Sequence, residues 1–91
     1  MPIAKRISEN GVISKNDFRQ AVLESIKQIK HSDSIDLGND EEFSVAGLDS
    51  LDGMDLVLLV ESKTGIDFGE FDLATANTID KFYAKAQEIS A

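Results

Sequence analysis

Apolar residues recur at helical spacing in three separate stretches of this 91-residue chain, and no run alternates at strand spacing over a useful length. From about Lys15 to Lys30, Phe18, Val22, Ile26 and Ile29 share one face, with Lys, Gln and Glu elsewhere. A second stretch runs from Ser50 to about Thr64 and stops near Gly65. A third, from about Thr78 to Ile89, aligns Ile79, Phe82, Tyr83, Ala86 and Ile89. A chain of this length makes one domain around one core. The pattern therefore predicts an all-α fold, a small antiparallel bundle of three longer helices. The segment Phe68-Gly69-Glu70-Phe71-Asp72-Leu73 leaves room for one short helix between the second and third.

Local signals mark the ends of these helices. Ser14 is placed as an N-cap with Asp17 at N3, and Ile13 and Phe18 stand where a hydrophobic staple needs them. Asn77 is the expected cap of the last helix, with Asp80 at N3. Residues 1–11 are polar and end in the turn dipeptide Asn10-Gly11, so they are expected to be a flexible lead-in to a domain spanning 12–91. His31 is expected to be exposed at the end of the first helix, interacting with its last carbonyls. Between His31 and Ser44 the chain is a long polar loop in which Ile35, Leu37 and Phe43 are the available inward anchors. Gly38 in this loop sits where a calcium loop beginning at Asp33 would need its sharp turn. Ile35, Leu37 and Ser44, however, occupy positions that should carry oxygen ligands, the last a bidentate Glu, so calcium is excluded.

Charge and composition narrow the function. A formal net charge of -8 argues against nucleic-acid binding and against anionic membrane surfaces, since both rely on Lys and Arg. It favours basic protein partners, attracted over long range and released by salt. The chain has no cysteine, so disulfides, thiolate zinc sites and cysteine nucleophiles are excluded. The N-terminal Met1-Pro2-Ile3-Ala4-Lys5-Arg6 is not followed by a signal-peptide core, and no stretch is long enough to span a bilayer. A cytoplasmic monomer without membrane insertion is the expectation.

The second helix is apolar on too many sides. Leu56, Val57 and Val60 cluster on one face, while Leu51, Met54 and Leu58 form another stripe that a small domain cannot easily bury. Ser50 opens this helix, where free backbone N–H groups and the positive end of the helix dipole favour a phosphate. As a catalytic nucleophile Ser50 lacks support. His31 is the chain's one histidine, and Gly47-x-x-Ser50-x-x-Gly53 is not the strained strand-to-helix elbow of hydrolases.

The run Phe43-Ser44-Val45-Ala46-Gly47-Leu48-Asp49-Ser50-Leu51-Asp52, with Met54-Asp55-Leu56-Val57 and the later Gly65-Ile66-Asp67-Phe68, resembles the acyl carrier protein family of phosphopantetheine-binding carrier domains. The helix order and Asn77-Thr78-Ile79 extend the likeness over roughly Ser14 to Ile89. The resemblance implies that Ser50 accepts 4′-phosphopantetheine from coenzyme A, through a separate phosphopantetheinyl transferase using magnesium. It implies a carrier of acyl thioesters rather than an enzyme, whose reactive thiol belongs to the arm. It also makes the second helix the recognition helix. Leu51, Met54 and Leu58 would face acyl-loading and acyl-processing enzymes, while Asp49, Asp52, Asp55 and Glu61 meet basic docking surfaces.

Fatty-acid-synthesis carriers usually read Asp-Leu-Gly-x-Asp-Ser-Leu, whereas here Val45-Ala46-Gly47-Leu48-Asp49-Ser50-Leu51 stands. Its Gly-Leu-Asp-Ser-Leu looks more like carriers of polyketide, peptide or other specialised pathways. Gly53 costs about 1 kcal/mol relative to Ala if exposed in a helix, so either a partner comes close there or the cost is tolerated. The competing reading is an unmodified acidic interaction module whose Ser50 is only a helix cap, worth about 1 kcal/mol.

Overall fold

The structure is a computed structural model that describes residues 13–69 and 73–90. The flexible lead-in expected at residues 1–11 lies outside the described residues. Three α-helices are present among the described residues, α1 (Lys15–Lys30), α2 (Ser50–Thr64) and α3 (Ile79–Ser90). Two short 3-10 turns, Phe43–Ala46 and Leu73–Thr75, precede α2 and α3. Among the described residues there is no strand, and an isolated antiparallel bridge joins Glu42 to Thr78. The expected all-α class holds, with α1 packed against both α2 and α3. The short element between α2 and α3 is a 3-10 turn at Leu73–Thr75, which begins at the last residue of the segment expected to form it, of which 70–72 lie outside the described residues.

α1 starts and stops as its sequence dictates. Ser14 Oγ accepts the Asp17 N–H at 3.2 Å, and Ile13 and Phe18 are both buried. At the other end His31 turns left-handed, and its backbone N–H reaches Gln28 O at 3.4 Å. The backbone of His31, not its exposed imidazole, closes the helix.

The cap of α3 differs from expectation. Helical residues begin at Ile79, and Thr78 Oγ1 accepts the Lys81 N–H at 3.1 Å, so Thr78 is the cap and Asp80 stands at N2. The reason is tertiary. Asn77 O accepts the Phe43 N–H at 2.9 Å, next to the bridge that Thr78 makes with Glu42, and the helix starts after this contact, one residue further on.

Phe82 sits at the centre of the core, with Phe18, Phe43 and Phe68 rings 5.1, 6.2 and 5.0 Å from it. These rings join α1, the turn before α2 and the segment after α2 to α3. The expected loop anchors divide: Leu37 and Phe43 are buried, and Ile35 is half-buried. Polar bonds complete the tether. Arg19 donates to Asn39 Oδ1 at 2.6 Å, Asp80 N–H donates to Asn39 O at 3.0 Å, and Lys15 pairs with Asp80. A loop without repeating structure is thus tied to both α1 and α3, and it delivers the chain to the start of α2.

Candidate functional site at the opening of the second helix

The 3-10 turn Phe43–Ala46 ends at Gly47, whose φ of 85° is left-handed and suits glycine. Its N–H donates to Ser44 O at 3.0 Å. Leu48 is then buried and pins the chain, so that the next residues emerge at the surface. Asp49 is the N-cap of α2. Its Oδ1 accepts the Asp52 N–H at 2.9 Å, and Asp52 Oδ2 accepts the Asp49 N–H at 3.2 Å, a reciprocal capping box.

This arrangement settles one alternative. Ser50 is the first helical residue and not the cap, because the aspartate before it holds that position. Ser50 is exposed, and among the described residues its hydroxyl has no hydrogen-bond partner. The reading of Ser50 as only a helix cap is therefore corrected.

The acidic residues singled out by sequence have different surroundings. Asp49 and Asp52 are engaged with each other, and Asp52 Oδ2 also lies 4.0 Å from Lys30 Nζ. Asp55 is exposed, one turn further along. Glu61 is half-buried, and its Oε2 accepts the Phe68 N–H at 2.7 Å, holding the return of the chain after Gly65. Of these four carboxylates, Asp55 alone has no intramolecular partner among the described residues.

The two apolar stripes of α2 separate completely. Leu56, Val57 and Val60 are buried, whereas Leu51, Met54 and Leu58 are 72%, 65% and 62% exposed. Val45, in the preceding 3-10 turn, is 62% exposed and adds an apolar side chain that the sequence reading missed. It belongs to no helical period, and its only signal was the buried Phe43 two residues earlier.

Beside Ser50 a groove of about 240 Å³ runs between α2 and the two 3-10 turns, lined by Phe43, Leu48, Gly53, Val57 and Leu73 among others. Gly53 forms part of its wall. Gly53 is buried, and a Cβ on it would stand 3.2 Å from Leu73 Cδ2. The glycine is thus matched to a close approach within the molecule, rather than to a partner's approach or to a tolerated cost at an exposed position.

The chemistry open to this site is narrow. With no base on its hydroxyl among the described residues, Ser50 has no activating partner there, but an accessible hydroxyl is what an external transferase needs. The residues fit a phosphodiester at this point. The Asp52 and Gly53 N–H groups are taken by Asp49, and those of Ser50 and Leu51 have no partner among the described residues, beside the hydroxyl at the positive end of α2. The exposed site also leaves an attached arm room to move.

No curated protein and no solved structure matches the chain. A family model described as phosphopantetheine attachment site matches residues 20–85, which include α2 and its approach. The match covers most of the chain, including the exposed serine, the whole of α2 and most of α1 and α3, and the chain belongs to the phosphopantetheine-binding family, the carrier domain of acyl carrier proteins.

Proposed function

We propose that Ser50 is the residue that bears the 4′-phosphopantetheine arm, and that α2 presents the loaded arm to partner enzymes. The observation that carries this reading is the hydroxyl itself: exposed at the first position of α2 and relieved of capping by Asp49. Gly47, Leu48 and Asp49 before it and Leu51 after it complete the run that resembles the carriers' attachment motif.

As a member of its family the chain is a carrier with a covalent phosphopantetheine arm, and not an enzyme. It works with a phosphopantetheinyl transferase and with acyl-processing enzymes. The arm supplies the thiol on which acyl groups ride. The protein contributes position and recognition. In our reading Leu51, Met54 and Leu58 form the apolar centre of the docking face, and Asp49, Asp52, Asp55 and Glu61 surround it with negative charge that attracts basic surfaces. The departure of Val45-Ala46-Gly47-Leu48 from the usual fatty-acid-synthesis pattern favours a dedicated carrier in a specialised fatty acid, polyketide or related pathway. No described helix is long and apolar enough to cross a membrane, and we place the protein in the cytoplasm as a monomer.

Intact mass tests the assignment of Ser50. Incubated with coenzyme A, magnesium and a broad-specificity transferase, the wild type is expected to gain one phosphopantetheine, and Ser50→Ala none. A modified Ser50→Ala protein would move the arm elsewhere. A wild type that stays unmodified alongside a modified control carrier would remove the assignment.

A further inference from the structure

A lysine in the last turn of a helix ordinarily serves the negative end of its own dipole. Lys30, the last residue of α1, reaches away instead. Its Nζ donates to Gly47 O at 3.0 Å and lies 4.0 Å from Asp52 Oδ2. Its stem lies over Gly47 as well, since a methyl group at that glycine would stand 3.5 Å from Lys30 Cε. Gly47 precedes Ser50 by three residues, and Asp52 follows it by two. One side chain from α1 therefore grips both flanks of Ser50. The carboxylate it approaches is the one that accepts the Asp49 N–H, so the grip continues into the cap of α2.

We propose that Lys30 is a positioning residue for loading the arm: it fixes the Gly47–Asp52 turn so that the Ser50 hydroxyl meets the transferase in one orientation. The inference rests on Ser50 being the attachment site. In the transfer, Ser50 Oγ bonds to the phosphorus that bears the pantetheine of coenzyme A. The bond from that phosphorus to the bridging oxygen breaks, adenosine 3′,5′-bisphosphate leaves with the electron pair, and the hydroxyl proton passes to a base of the transferase. Lys30 takes no part in these bonds and acts through the backbone of the turn.

Charge and position predict opposite effects for the loss of Lys30. Removing a cation from an acidic face strengthens attraction to a basic transferase, which lowers KM or leaves it unchanged. Losing the grip spreads the orientations of the hydroxyl, which lowers kcat. The test measures transfer to wild type, Lys30→Met, Lys30→Arg and Lys15→Met, the last removing a cation from the remote pair with Asp80. Lys30→Met is expected to lower kcat about fivefold, the effect of losing roughly one net hydrogen bond, without raising KM. Lys30→Arg should recover at least half of the loss, and Lys15→Met should match the wild type. In the unmodified protein, amide hydrogen exchange at Asp49 and Asp52 should rise in Lys30→Met, while Val22 and Ile26 stay protected. Wild-type kcat in Lys30→Met, or unchanged exchange at Asp49 and Asp52, overturns the proposal and leaves Ser50 in place. A wild type that accepts no arm overturns both.

Discussion

α1 and α2 each begin at a serine, and the two serines have opposite fates. Ser14 stands one position before its helix and its hydroxyl accepts the Asp17 N–H, so the side chain is part of the scaffold. Ser50 stands one position later, inside its helix, and Asp49 does the capping. The outward faces differ in the same sense. α1 exposes Asn16, Gln20, Glu24 and Gln28, whereas α2 exposes Leu51, Met54 and Leu58. α1 is built to be stable and soluble. α2 leaves a hydroxyl and an apolar stripe uncovered, features that stability alone does not require and that a docking surface does.

The sharpest way to break this comparison is to remove each hydroxyl in turn. Ser50→Ala is expected to abolish arm attachment and to change stability by no more than about 0.5 kcal/mol, as for a surface substitution away from a cap. Ser14→Ala should load normally. The next contrast lies across α2. Leu56→Ala should destabilise the domain by about 2 to 5 kcal/mol through lost burial and a cavity, and Leu58→Ala by about 0.5 kcal/mol or less. Equilibrium urea unfolding measures both, and equal losses would show that the exposed stripe is packed after all. The two caps should then prove alike: Ser14→Ala and Asp49→Ala are each expected to lose about 1 kcal/mol. The smallest effect is expected for Gly53→Ala. The helix gains about 1 kcal/mol in propensity, offset by the shift of Leu73 Cδ2 that a new Cβ at 3.2 Å demands. A net change within about 0.5 kcal/mol is expected, and a much larger loss would mean that Leu73 has no room to move.

Much of this was legible in the sequence because the relevant signals are local. The ends of α1 follow from Ser14, the Ile13–Phe18 pair and the polar residues after Lys30. Those of α2 follow from the apolar run that opens at Ser50 and from Gly65. The division of α2 into a buried and an exposed stripe was readable from angles alone, because the domain is too small to cover both. Where two neighbouring residues could cap, the outcome depended on context. An acid three residues on does mark Asp49, with Asp52 closing the box. The same signal pointed to Asn77 through Asp80, but there Asn77 O is engaged by the Phe43 N–H and Thr78 caps instead. Gly53 against Leu73, Glu61 on the Phe68 N–H, and Lys30 on Gly47 join residues separated in the chain, and no periodicity reveals such contacts.

The most direct measurement is localisation of the arm by tandem mass spectrometry of peptides from the loaded protein. A phosphopantetheine adduct on the peptide containing Gly47-Leu48-Asp49-Ser50-Leu51, resolved to Ser50, is the predicted result. An adduct on Ser44, Ser62 or any other serine, with Ser50 bare, would contradict the account.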